Sequence, residues 1–150
     1  IETSSNTLIR GCNTTIIPNT ITNIEIGSLR DCIGLKSIEI PNSVIKIGEY
    51  AFADCSNLES ITIGNGITNI ECHTFQECTS LTKIFIPKSV TTISASYSSD
   101  SPFFKCSSTL KIYCEASSKP DGWGTYWNYY ASDKRLSVTW GYTRAQFDAL

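Results

Sequence analysis

Apolar residues recur along this chain at a constant spacing of 23 residues. Residues 38–60 read IEIPNSVIKIGEYAFADCSNLES, and residues 61–83 read ITIGNGITNIECHTFQECTSLTK. Both segments carry a phenylalanine, a cysteine and a leucine at matching positions, namely Phe52, Cys55, Leu58, Phe75, Cys78 and Leu81. The same spacing reaches back through residues 15–37 to Cys32. Self-similarity at this period is typical of stacked repeat architectures.

Each copy predicts the same short elements. Ile61 and Ile63 are two residues apart, which is strand periodicity, and a proline or a glycine-rich turn follows each strand. Residues 48–52 are long enough for one helical or 3₁₀ turn, which we expect to place Phe52 in the core. From Cys78 to Cys106 the spacing expands to 28 residues, so we predict a loop over residues 94–105.

A single 23-residue unit has too few apolar side chains to fold alone. Stacked units bury their apolar faces on each other, and their short strands pair side by side in a parallel sheet. The pattern therefore predicts a solenoid. We divide the chain into a degenerate N-terminal repeat fragment, four repeats with the start of a further strand, and a C-terminal cap with a tail, at 1–14, 15–37, 38–60, 61–83, 84–111, 112–114 and 115–150.

The segment from Ile38 to Leu58 resembles the repeat of a known family. Its pattern, Ile-x-Ile-Pro-x-Ser-Val-x-x-Ile-Gly-x-x-Ala-Phe-x-x-Cys-x-x-Leu, is similar to the BspA-like leucine-rich repeats of bacterial cell-surface proteins, and the resemblance covers residues 8–114. The next copy departs from it at Glu71 and Thr74. The resemblance implies a right-handed leucine-rich-repeat solenoid, mostly β, with short helical or 3₁₀ turns. It also implies an extracellular or cell-surface location and a role in adhesion.

Composition and charge argue against some classes of function. The 150 residues are 41% hydrophobic and 17% charged with a net charge of −2, so the chain lacks the basic footprint of a nucleic-acid binder. Isoleucine occurs 20 times and leucine 8 times, which favours strands. No apolar stretch approaches the ~20 residues of a membrane span. Because the chain lacks methionine and starts at Ile1, we expect it to be a piece of a longer precursor.

The seven cysteines are interpreted as buried thiols rather than as a disulfide framework or a metal site. Four of them recur with the repeat, namely Cys32, Cys55, Cys78 and Cys106. Equivalent side chains in a stack of coils run parallel instead of facing each other, which disfavours a disulfide between them. Cys12, Cys72 and Cys114 lie off this ladder, and Cys72 with Cys78 is the alternative pair. No C-x-x-C motif accompanies the single His73, so neither a metal nor another cofactor is expected.

No phosphate loop, nucleophile motif or paired carboxylate suggests an enzyme. Recognition by the outward side chains of the strands is the better hypothesis. Alternation along each strand places Ser37 and Ser60 outward. It also places outward a set of candidate binding residues, namely Glu39, Thr62, Lys83, Phe85, Lys111 and Tyr113. Phe85 and Tyr113 could anchor a partner, or could instead stabilise the sheet or lie beneath the inserted loop.

Aromatic residues concentrate near the C-terminal end, where Trp123, Trp127 and Trp140 stand among four tyrosines. This cluster is interpreted as a cap over the last coil, with a glycan-binding module as the alternative. Residues 136–140 alternate like a final strand, and the tail from Arg144 is expected to be a short helix or a frayed end.

Together these observations predict a non-enzymatic surface or secreted bacterial domain that binds a host or bacterial surface protein. The alternatives are a structural spacer that displays another domain, and a glycan-binding module. No nucleic-acid partner is expected. An uncovered N-terminal end could also make the chain associate end to end.

Overall fold

The computed structural model describes residues 2–4, 6–10 and 15–150 and confirms the predicted leucine-rich-repeat solenoid. Its main feature is a parallel sheet with one four-residue strand from each of five successive coils. In spatial order these strands are β4 (Ser37–Ile40), β6 (Ser60–Ile63), β8 (Lys83–Ile86), β10 (Lys111–Cys114) and β13 (Ser137–Trp140). Cys12 and most of the predicted degenerate repeat at 1–14 lie outside the side chains that are described.

The repeat spacing sets the register of this sheet. Ile38 pairs with Ile61, and Ile84 pairs with Ile112, so equivalent positions of successive coils stand side by side. In β4 the side chains alternate between exposed and buried, with the isoleucines inward. The final strand predicted at 136–140 is confirmed as β13, which pairs in parallel with β10.

A second column of strands, most of them only two residues long, was not predicted from the sequence. The strands are β1 (Glu2–Ser4), β2 (Thr7–Arg10), β3 (Asn23–Ile24), β5 (Lys46–Ile47), β7 (Asn69–Ile70) and β9 (Thr92–Ile93). β1 and β2 form an antiparallel pair, and β2 continues in parallel to β3. This pair covers one edge of the second column, while the predicted end-to-end association remains a prediction.

A stack of phenylalanine rings runs through the core. Phe75 lies between Phe52 and Phe103, with ring centroids 5.7 Å from each neighbour. The segment around Phe52 forms single turns at the predicted place, closed by i to i+3 hydrogen bonds from the Ala51 N–H to the Gly48 carbonyl at 3.3 Å and from the Ala53 N–H to the Tyr50 carbonyl at 3.0 Å, and no longer helix forms there. Tyr50 and Asp54 adopt positive φ angles of 55° and 61°, which interrupt the right-handed path that a helix needs. Phe52 is nonetheless fully buried, as predicted.

The cysteine ladder is confirmed as a row of buried thiols. Cys55, Cys78 and Cys106 are buried and form no disulfide. Each thiol bonds to a carbonyl oxygen of the preceding coil at a sulfur–oxygen distance of 3.0 to 3.1 Å. Cys32, the equivalent residue of the preceding coil, is also buried. The repeat leucines Leu58 and Leu81 are fully buried as well. The alternative pairing of Cys72 with Cys78 is wrong, because both are thiols.

The segment at 94–105 is more ordered than a simple loop. It contains a 3₁₀ turn at Ser98–Asp100 and then returns to the core at Phe103, which continues the ring stack. Ser101 is buried and donates a hydrogen bond to the Trp127 carbonyl at 3.0 Å. The five additional residues therefore bulge outward without breaking the coil.

The last coil ends in an aromatic cap. Trp123 and Trp127 are 2% and 3% exposed, and Trp123 donates a hydrogen bond through Nε1 to the Val90 carbonyl at 3.0 Å. Beside them lies an antiparallel pair, β11 (Tyr129–Ala131) and β12 (Lys134–Arg135). After β13 the chain forms one short helix, α1 (Arg144–Asp148). This five-residue element is the longest helix in the described part of the chain, and none there could cross a membrane.

Candidate binding surface

The outward side chains of the five-strand sheet form two rows across the coils. Strand register aligns Glu39 with Thr62, Thr62 with Phe85, and Phe85 with Tyr113. The parallel row contains Ser37, Ser60, Lys83, Lys111 and Ser137. The predicted row of outward residues therefore exists as a continuous surface, which we call the strand face.

The half of the strand face over β4 and β6 is open to solvent. Ser37 and Glu39 are exposed, and Ser60 and Thr62 are half-buried. A cavity of about 300 Å³ lies over these four residues and is bordered by residues 15–16 and Ile38. Ile16 is 81% exposed and stands one repeat before Glu39, so it adds an apolar side chain to the edge of this polar area.

A second, larger cavity adjoins the first. It has a volume of about 580 Å³ and shares Ile16 and Glu39 with its neighbour. Its remaining lining comes from the turns that follow the strands and from the C-terminal helix, namely Ile17, Asn19, Pro41, Asn42, Ser43 and Arg144. The two cavities form one groove of neutral hydroxyl and amide groups with one carboxylate and one guanidinium.

The other half of the strand face, over β8 and β10, is covered. Phe85 is only 1% exposed because the Phe147 ring of α1 lies against it, with the ring centroids 5.5 Å apart. The same Phe147 ring meets Tyr113 edge-on at 5.6 Å, and Tyr142 contacts Tyr113 at 4.7 Å. Lys83 places its ammonium 5.3 Å from the Phe147 centroid. Four aromatic rings and one cation thus form a closed cluster on this half.

These contacts correct one sequence prediction. Phe85 points away from the core as expected, but it is not an exposed anchor for a partner, because Phe147 covers it. Tyr113 is half-buried in the same cluster, whereas Lys111 is exposed. The cover is the C-terminal helix rather than the inserted loop at 94–105. The binding role of the strand face as a whole stays a prediction.

Local sequence explains how α1 reaches the strand face. Gly141 follows β13 with a φ of 69°, a left-handed conformation that lets the chain reverse over the sheet. Thr143 then begins the helix through a capping box with Gln146, in which each side chain bonds to the backbone of the other residue. Phe147 consequently points down onto β8 and β10, and it is the only buried side chain of the helix.

A charged contact ties the helix to the open half. The Arg144 guanidinium lies 3.4 Å from the Glu39 carboxylate and 2.7 Å from that of Asp148. Partial burial alone would lower the pKa of Arg144, but the hydrogen bonds to Asp148 and Glu39 outweigh it and raise the pKa above its usual value. Arg144 therefore stands as a fixed positive charge at the border between the two halves.

Two of the three tryptophans in the aromatic cap are closed to a sugar ring, and Trp140 is half-buried. Trp123 and Trp127 are buried and meet edge to face with centroids 4.5 Å apart. Tyr129 is half-buried and lies 4.8 Å beneath the Arg135 guanidinium. The cluster packs against the last coil, so the interpretation of these residues as a cap agrees with their burial.

Cys72 and His73 are neighbours in the chain but do not form a nucleophilic pair. His73 stacks on Tyr50 at 4.7 Å, and burial together with Glu49 raises the pKa of the Cys72 thiol to about 11. A thiol with that pKa is protonated at neutral pH and is a poor nucleophile. Among residues 2–4, 6–10 and 15–150, no three His, Cys, Asp or Glu side chains converge to hold a metal ion.

Comparisons with known proteins agree with this architecture. The family model of the BspA-type leucine-rich repeat region matches residues 7–119 as six copies. The fold is similar to the crystal structure of a leucine rich cell surface protein from Faecalibacterium prausnitzii A2-165, with a TM-score of 0.68 and 26% sequence identity. That similarity covers 99% of this chain and 39% of the other. A search of curated proteins found no match.

Proposed function

Because the chain belongs to the BspA-type leucine-rich repeat family, we propose that it is a non-enzymatic domain that binds another protein at a cell surface. The strand face supports this proposal, because parallel strands of a solenoid present an extended surface of regularly spaced side chains. A host or bacterial surface protein is the partner class that we propose, with adhesion as the role. The relative of known structure is named as a cell-surface protein, which supports the location.

The observation that carries the proposal is the open groove over β4 and β6. Over these two strands the polar side chains of the groove are Ser37, Glu39, Ser60 and Thr62, and Ile16 supplies an exposed apolar edge. Hydroxyl groups at the strand spacing of about 4.8 Å can bond to an extended backbone or to polar side chains. An apolar side chain beside them adds buried area on association. This combination suits a protein surface better than a small charged ligand.

A binding screen with matched variants tests the proposal. The folded chain is immobilised and exposed to a panel of extracellular-matrix proteins and to a glycan array. The test variant is Ser60→Arg with Thr62→Arg, which fills the groove with two long cations. The control variant is Thr68→Arg with Thr92→Arg, because both threonines are exposed near the second column of strands.

We expect a matrix protein to bind the wild-type chain and the control variant, and to lose at least tenfold in affinity for the test variant. Equal binding to both variants would exclude the groove as the binding surface. If no panel member binds the wild-type chain, the spacer hypothesis replaces this proposal. Binding confined to the glycan array would favour the glycan-binding alternative instead.

A further inference from the structure

The covered half of the strand face has the features of an occupied docking site. Its floor consists of Lys83, Phe85 and Tyr113, which stand on β8 and β10 in fixed strand register. The positions of these residues are set by the sheet and the core beneath it. The strand pairing that holds the backbone of the floor does not involve α1.

The occupant is held by few contacts. α1 has five residues, far fewer than an isolated helix needs to be stable in water, and it buries only Phe147. Its side-chain contact with β4 is the Arg144–Glu39 pair, whose side chains are 40% and 71% exposed. Exposed ion pairs contribute little to stability. Before the helix, the Tyr142 ring lies on Tyr113, and the N–H groups of Gly141 and Tyr142 donate hydrogen bonds to the Ala116 and Cys114 carbonyls at 2.8 and 2.9 Å. Phe147 is thus the one buried anchor of the helix itself, and a competing helix needs to replace that ring while residues 141–142 keep their own contacts.

The contacts of α1 also define what the floor recognises. An aromatic ring fits between Phe85 and Tyr113, and the Lys83 ammonium beside it favours the face of a π system. Arg144, three residues before Phe147 on the same helical face, places its guanidinium against the Glu39 carboxylate. The required pair is therefore an arginine followed three positions later by an aromatic residue.

We propose that this half of the strand face is a docking site for a helical segment of a partner protein that carries such an arginine and aromatic pair, and that α1 occupies the site in competition with it. The proposal rests on the proposed function and gives the partner's chemistry for this part of the surface. Displacement of the tail would join the covered and open halves into one continuous binding surface.

A peptide in trans tests the proposal. The probe is a synthetic peptide with the sequence of residues 141–150, GYTRAQFDAL, titrated to about 2 mM into isotopically labelled full-length chain and followed by NMR. The Phe147→Ala variant of the chain releases its own tail and should bind the peptide at least tenfold more tightly than the wild-type chain does. Circular dichroism establishes that the variant is folded, and Gly141→Val, which disfavours the chain reversal, is a second way to release the tail.

Two control peptides define the recognition. Replacing the phenylalanine of the peptide by alanine should abolish binding, because the ring supplies the anchor. Replacing its arginine should weaken binding to the Phe147→Ala chain, but should have little effect when the chain also carries Glu39→Gln. Equal affinity of the peptide for wild-type and released chains, no saturable binding to either released chain, or indifference to the phenylalanine would each overturn the proposal.

The outcome is separable from that of the matrix-protein screen. The peptide titration contains no matrix protein and the screen contains no peptide, so each result is obtained without the other. If the peptide fails while the screen succeeds, the protein-binding function stands and this docking site is rejected. If the peptide binds while the screen fails, the docking site stands without the proposed matrix partner.

Discussion

The stack of three phenylalanine rings gives the sharpest stability prediction. Phe75 is fully buried and lies 5.7 Å from a ring on either side, so Phe75→Ala removes contacts with two neighbouring coils at once. Substitutions of buried phenylalanine by alanine cost about 3–5 kcal/mol, and aromatic pairs add stabilisation beyond buried area. We expect a loss near the upper end, about 5 kcal/mol, from the free energy of unfolding. For a chain of this size that corresponds to a fall of about 10–20 °C in Tm.

The assay is urea unfolding followed both by far-ultraviolet circular dichroism and by tryptophan fluorescence. The matched control is Phe104→Ala, because Phe104 is half-buried next to the stack and should cost about 1 kcal/mol or less. Coincident transitions from the two probes would allow a single free energy to be assigned. A loss below about 2 kcal/mol for Phe75→Ala, or one no larger than that for Phe104→Ala, would refute the reasoning.

Three further predictions follow from buried thiols, close backbone packing and the cap. Burial raises the pKa of Cys106 and Cys114 to about 12, so the free energy of unfolding should fall by up to about 1.4 kcal/mol per pH unit per thiol as pH rises above 9.0. Denaturant titrations from pH 8 upward measure this free energy at each pH. It should decline less steeply with pH in the Cys106→Ala, Cys114→Ala double variant than in the wild-type chain, and equal slopes would contradict the burial of these thiols. Gly66→Ala should destabilise by about 3 kcal/mol, because its Cβ would clash with the backbone carbonyl oxygens of Asn42 and Val44. In Gly141→Ala the added Cβ meets no atom within 4 Å, so the substitution should cost only the strain of a left-handed φ, about 1–2 kcal/mol. Thermal melts of both variants measure the two costs. A larger cost for Gly141→Ala than for Gly66→Ala would contradict this geometry. Trp127→Ala should cost about 3–5 kcal/mol, and in a Trp140→Phe chain the fluorescence of Trp123 and Trp127 should not respond to added oligosaccharides, whereas quenching by a sugar would contradict the burial of these two rings.

The repeated part of the fold follows from local sequence. The isoleucine alternation at Ile61 and Ile63 predicts a strand with one buried face, and the spacing to Ile38 predicts its register. The cysteine ladder follows in the same way, because a position that is buried in one coil is buried in the next. These features depend only on the period and on side-chain polarity, both of which can be read from the chain.

The cover over the strand face could not be predicted in this way. Arg144 meets Glu39 across 105 positions, and Phe147 has no counterpart in the repeats. The alternation of β8 places Phe85 outward, but it cannot show that a later segment folds back over it. The two-residue strands of the second column were missed because they are too short to show a periodic pattern, and backbone bonds between coils define them.

Hydroxyl-radical footprinting of the complex with a matrix protein from the screen tests the central claim, that the open groove of the strand face is the binding surface. Ile16 is 81% exposed at the groove, and Ile45 is 60% exposed just before β5 in the second column, so the two serve as matched reporters. The partner should lower oxidation of Ile16 and leave that of Ile45 unchanged. Protection of Ile45 with undiminished oxidation of Ile16 would contradict this claim.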